Sequence, residues 1–307
     1  MTGHLAVPRR EARGPLHMAA ADLWNNPWLL LTLSASFWAS NFVLGRALPT
    51  SLTPVSLSFW RWVLALPLAL PFAAPYLARD WPAIRRSWPI LLLLAGLGLA
   101  GSNSIAYLAL RQTSATSALL VQSAMPITIL GCGVLLFGDR AGLRQGVAMG
   151  FAMAGVLCVV LAKPGATGGF NAGTLLAGLA MLCQSLYATL LRWAPRLHPA
   201  SFLSLTFFGA ALLMVPFQLH SGVPLPLHDR AGMTALAYLA VGPSVLAFFL
   251  FNRGVALVGS SRAGLFFYLM PVFGTIFAFL FLGERIGLVE LGGFLLVGVG
   301  FALSHRR

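Results

Sequence analysis

The sequence predicts an all-α membrane protein: ten transmembrane helices built as two inverted five-helix repeats. Composition, the spacing of apolar runs and a match between the two halves predict it. Of 307 residues, 58% are hydrophobic and only 9% charged, and the mean hydropathy is +0.84. A soluble domain carries roughly 25% charged residues. This chain has too little charge to cover a water-facing surface, and the same figures exclude disorder.

Residues 1–27 form a polar tail with Arg9, Arg10 and Arg13, expected on the cytoplasmic side. Apolar runs long enough to cross about 30 Å of hydrocarbon then follow. They lie near 28–46, 54–76, 88–109, 114–137 and 145–162, making a first repeat over 28–162. A second set at 173–192, 200–218, 232–252, 263–282 and 286–304 makes a repeat over 173–304. The first run is too long for a signal peptide core and reads as a retained span.

A formal net charge of +13 would suggest nucleic acid in a soluble protein. Here the basic residues are scattered at span ends, where they signal topology instead. With the N-terminus inside, fourteen Arg fall in inner segments and five Arg or Lys in outer ones, leaving Arg61 within a span. Both termini are therefore expected in the cytoplasm, in a multi-pass inner (plasma) membrane protein. Trp24, Trp28, Trp81, Trp88 and Trp193 cluster near that side, as an interfacial belt does. Cys132, Cys158 and Cys183 lie in apolar runs and read as small hydrophobes.

Shifted by 145 residues, Met125–Arg140 lies over Met270–Arg285. Pro126 then pairs with Pro271, Gly138 with Gly283, Asp139 with Glu284 and Arg140 with Arg285. A shift of 146 lays Trp38 and Asn41 over Gln184 and Tyr187, and Arg46 over Arg192. Five spans is an odd number, so the second copy sits upside down. Inverted repeats of this kind mark secondary transporters, with the substrate between the halves near the midplane.

The segments "WASNF" at 38–42, "FWRW" at 59–62, Pro126 with "GDR" at 138–140, and Pro271 with "GER" at 283–285 carry a resemblance. The chain resembles the drug/metabolite transporter superfamily, in particular its EamA-type ten-helix members, from about residue 28 onward. Members are mostly exporters of small metabolites, and the YddG-type branch exports amino acids. The resemblance also implies a central cavity lined by spans one, three, four, six, eight and nine.

Polar side chains in a span are costly unless they face protein or a water-filled cavity. On those six spans the candidates for substrate binding are Trp38, Asn41, Asn103, Tyr107, Gln122, Gln184, Tyr187, Ser244 and Tyr268. Each could instead be an interhelical hydrogen bond. Their amides, hydroxyls and aromatic rings suit uncharged or zwitterionic solutes. Pro126 and Pro271 are expected to kink their spans. Arg61 has two readings: attracting a substrate carboxylate, or a structural role, snorkelling or bonding helix-end carbonyls. The 142–150 stretch is a GxxxGxxxG face that fits packing within the monomer or dimerisation, so monomer or homodimer stays open.

No acid or histidine lies mid-span, so a proton relay has no obvious carrier and facilitated diffusion is the simpler mechanism. There is no metal motif, no Walker A loop and no catalytic Ser–His or aspartate pair. An enzyme, a cofactor and a nucleic-acid partner are not expected. The expectation is an exporter of small metabolites, amino acids foremost, working by alternating access in the lipid bilayer. The alternatives are an exporter of other metabolites or drugs, or a solute channel.

Overall fold

The structure is a computed structural model that describes residues 23–47, 52–139, 171–258, 263, 266–267, 269–284 and 287–305, with scattered positions between 142 and 155. Every regular element among the described residues is helical. Six helical runs there are long and apolar enough to cross a membrane: Pro27–Ala47, Pro54–Leu110, Ala115–Phe137, Ala172–Trp193, Pro199–Ser221 and Arg230–Val258. Leu135, Leu219 and Phe281 are at least 74% exposed, which only a lipid surround makes favourable. The five belt tryptophans are all exposed too, as interfacial rings are.

Local chemistry sets where the helices begin. Helix α1 spans Pro27–Ala47. Helix α2, Pro54–Leu94, starts at Thr53, whose hydroxyl accepts from Ser56 N–H, with Pro54 in the first turn. The segment between the second and third predicted spans is helical rather than a loop, and α2 bends at Ser87. At about 1.5 Å per residue the 57-residue run Pro54–Leu110 is far too long for one crossing. Its last part holds a π-helical turn, Ala95–Gly101, and α3, Ser102–Leu110.

The fourth predicted span is two helices. Helix α4, Ala115–Gln122, is capped by Ser114, and α5, Met125–Phe137, restarts with Pro126 in its first turn. That proline lacks the N–H a continuous helix would need, so the break falls just before it. Helix α6, Ala172–Leu190, opens on a capping box of Asn171 and Thr174. Helix α7, Pro199–Ser221, follows a His198 cap. Helix α8, Arg230–Leu239, follows an Asp229 cap. It runs through a second π-helical stretch, Ala240–Leu246, into α9, Ala247–Val258. Helices α10, Leu269–Leu282, and α11, Leu288–His305, complete the described chain. The fifth predicted span, the GxxxGxxxG stretch, Cys158 and Tyr268 lie wholly or largely outside the described residues.

The two π-helical segments are seven residues each and 145 positions apart. Helix α2 packs along α7. Helix α1 packs on α9 and α10, and α6 on α3, α4 and α5. Two apolar cores result. One gathers Phe42, Tyr107, Leu110, Leu119 and Met270; the other gathers Trp62, Leu99, Tyr187, Phe207 and Met214. Cys132 is buried and Cys183 partly buried, both as free thiols.

Candidate functional site

Arg61, on α2, is 2% exposed. Its head is buried rather than snorkelled, and among the described residues it bonds no helix-end carbonyl, so the structural reading in that form is not what the described residues show. Its Nε donates to Ser244 Oγ at 2.7 Å. Its Nη1 donates to Asn41 Oδ1 at 2.8 Å, Asn103 Oδ1 at 2.9 Å and Tyr107 OH at 2.8 Å. Tyr107 in turn donates to Asn41 Oδ1 at 2.7 Å. The guanidinium carbon lies 4.5 Å from the centre of the Trp62 ring, which covers one face of the cation. Trp62 belongs to one apolar core and Tyr107 to the other, so the cluster sits at their junction.

The π-helical turns help to aim two of these groups. Asn103 follows the first one, and its Nδ2 donates to Leu99 O at 3.0 Å. Its Oδ1 is thereby left for Arg61. Ser244 lies inside the second; its hydroxyl donates to Leu239 O at 2.8 Å while accepting from Arg61. A widened helical turn shifts side-chain register and recurs at functional sites. Gly45 gives Tyr107 its place: a Cβ there would stand 2.9 Å from the ring.

Four of the nine predicted residues thus meet at one guanidinium. Trp38 is adjacent, its Nε1 donating to Pro243 O at 3.1 Å. Its ring stacks on Phe267 and packs against Phe248 and Phe251. Gln122 and Gln184 are partly buried and make no side-chain hydrogen bond among the described residues. Tyr187 lies in the second core, its ring against Gly98, where a Cβ would collide with it. These three do not touch the Arg61 cluster through any polar contact. Sequence reasoning left Arg61 out of the binding set. Its depth in the second span was the available signal.

The two acids of the repeated Gly–acid–Arg motif also acquire geometry. Gly138 and Gly283 have φ of 66° and 65°, the left-handed helix end that glycine favours. The next residue then folds back, Asp139 N–H onto Gly133 O and Glu284 N–H onto Ala278 O. The partners differ. Asp139 forms a bidentate pair with Arg192, Nη1 to Oδ1 being 2.9 Å. That contact holds the Asp139 carboxyl below the usual carboxylate range. Glu284 accepts from Ala115 N–H at 3.0 Å, Thr116 N–H at 3.2 Å and Thr116 Oγ1 at 2.7 Å. It therefore docks on the positive N-terminal end of α4. Arg46 donates instead to Leu110 O at 2.7 Å, and Arg111 to Leu52 O at 2.6 Å.

No group of three or more metal-ligating side chains occurs among the described residues. One solved crystal structure aligns with a TM-score of 0.65 over 94% of this chain and 96% of its own, at 20% identity; it speaks for the fold alone. A protein of Archaeoglobus fulgidus named an uncharacterized transporter is 28% identical, over 84% of this chain and 89% of its own. A Salmonella typhimurium protein named probable amino-acid metabolite efflux pump is 26% identical, over 90% and 93%. A Chlamydia trachomatis protein named S-adenosylmethionine/S-adenosylhomocysteine transporter is 24% identical, over 88% and 86%. The model of the EamA-like transporter family matches twice, at residues 26–161 and 171–305. An apolar helical chain with a polar cluster buried between its helices, doubled in sequence along these boundaries, is a membrane transporter of small solutes and belongs to the EamA-like transporter family.

Proposed function

We propose that the chain exports small metabolites, amino acids foremost, across the inner membrane by alternating access between two inverted five-helix halves. Ten spans place both termini in the cytoplasm, and the solute moves down its own gradient. The observation that carries this reading is the buried cluster of Asn41, Asn103, Tyr107 and Ser244 about Arg61. Polar groups at that depth are expensive unless they face protein or a water-filled path, and a set gathered from three helical runs suits a solute path. Trp38, Gln122, Gln184, Tyr187 and Tyr268 complete the path around it. The amino-acid reading draws support from the name of the Salmonella relative. Efflux of labelled amino acids and other metabolites from proteoliposomes tests it. Efflux of at least one amino acid, saturable and accelerated by unlabelled solute outside, is expected; no amino acid efflux above empty vesicles refutes it.

Support for two alternating states comes from the unequal ends of the bundle. At the end holding Arg46, Glu284 clamps α10 onto α4. At the other end Asp139 has turned to Arg192. In an inverted repeat the two ends exchange conformations. The repeat partners of Ala115 and Thr116 are Ser260 and Ser261, and that of Arg192 is Arg46. In the alternate state, then, Asp139 leaves Arg192 while Glu284 swings to Arg46.

A further inference from the structure

Among the described residues no anion balances the charge of Arg61. The ion pairs among the described residues are Arg79 with Asp80 and Arg192 with Asp139, and neither involves this guanidinium. Its four partners are neutral oxygens. A guanidinium offers five N–H donors. Nε and Nη1 supply every bond found, and three acceptors crowd onto Nη1. Nη2 donates to nothing among the described residues. Trp62 covers one face, Ser244 of the second π-helical stretch takes Nε, and side chains of α1 and α3 take Nη1. What is left is Nη2, with two N–H groups on a cation inside a membrane.

We infer that Nη2 of Arg61 binds the carboxylate of the transported solute, so that the site requires an anionic carboxylate head on its substrate. This rests on the transport reading above and narrows its substrate class. A cation in a low-dielectric interior is costly without an anion. The oxygens of Asn41, Asn103, Tyr107 and Ser244 lower that cost enough to keep the empty site folded, and a carboxylate supplies the missing charge through charge-assisted hydrogen bonds. A neutral amide or ester keeps an oxygen acceptor but brings no charge. A Lys side chain restores the charge without the fixed fork that meets Ser244 and Nη1's acceptors together.

The test uses proteoliposomes and labelled L-alanine, L-leucine, L-phenylalanine and lactate, each beside its primary amide. The acids are expected to be carried about tenfold to a hundredfold more effectively than their amides, as kcat/KM. Arg61→Lys should retain part of this preference with a raised KM. Arg61→Gln should lose the preference, and its folding is checked by elution profile and thermal stability. If that variant does not fold, the acid-to-amide ratio of the unmodified protein decides alone. Transport of lactate but of no amino acid would end the amino-acid reading and leave this inference standing. Amides carried as well as acids, or no carboxylate carried at all, would overturn it, as would an unchanged acid preference in folded Arg61→Gln.

Discussion

Asn41 and Gln184 belong to two repeat-related pairs, Asn41 with Tyr187 and Trp38 with Gln184, but the protein already uses Asn41 and not Gln184. Asn41 Oδ1 accepts from both Arg61 and Tyr107. Removing it in Asn41→Ala leaves a buried cation short of an acceptor, which costs about 1.5–3 kcal/mol. Thermal stability should fall along with transport. Gln184 makes no such bond, so Gln184→Ala should change stability by no more than about 0.5 kcal/mol. Its transport should still weaken, by up to about tenfold if one hydrogen bond to the solute is lost. Measuring melting and transport per folded molecule on the same two preparations separates these roles. Full transport in Gln184→Ala would remove that residue from the solute path. Gly45→Ala probes the same cluster from behind, since the added methyl meets the Tyr107 ring. It should lower transport in step with Asn41→Ala, read in the same assay.

Among the elements, the clamp of Glu284 on the first turn of α4 is the feature with a mechanical consequence. Two amides and a hydroxyl hold one carboxylate, and the helix end favours that charge. If the clamp must open in each cycle, joining its two sides stops transport. In a background with Cys132, Cys158 and Cys183 replaced, the pair Thr116→Cys and Glu284→Cys should cross-link on oxidation and abolish efflux. A reductant should restore it. Efflux that persists in fully cross-linked protein would show that α4 and α10 do not part. Asp139 offers a pH counterpart. Its carboxyl is held low by Arg192, so the pair contributes above the ordinary carboxylate pKa and is lost only as pH falls through the lowered value. Between pH 5 and 8 the Asp139 end should therefore show no titration of its own, which pH-dependent labelling of a cysteine placed at Arg196 can check.

For the whole molecule, the described acids sit at helix ends or between spans: Asp80, Asp139, Asp229 and Glu284. None lies beside the Arg61 cluster, and arginine does not give up its proton. A protonophore added to substrate-loaded vesicles should leave the efflux rate nearly unchanged. Strict dependence on a pH gradient would mean that a titrating group joins the cycle, with Asp139 and Glu290 the first to replace. The fourteen-to-five excess of basic residues further predicts a cytoplasmic C-terminus. A reporter fused after Arg307 should give a cytoplasmic signal, and an external one would reverse the orientation.

Membrane class, helical character and the duplication were legible in the sequence because they depend on composition and on spacing along the chain. Hydrocarbon thickness sets run length, and a constant offset of 145 aligns Gly138 with Gly283 whatever the packing. The polar candidates were legible for a similar reason, since Asn, Tyr and Ser within a span need partners. Which of them meet was not legible. Asn41, Asn103, Tyr107 and Ser244 come from three separate helical runs, and two of them are aimed by π-helical turns that leave no periodic mark in largely apolar stretches. Arg61 has no polar repeat partner of like charge, Thr206 standing at its related position, so symmetry gave no hint of its place. The helical join through residues 77–87 was hidden because prolines at 67, 71, 75, 82 and 89 suggest interruption, whereas the helix runs through all five. Only the tertiary structure decided that the one mid-span cation faces inward among neutral oxygens, because burial depends on which helix faces cover it and not on the residues beside it in sequence.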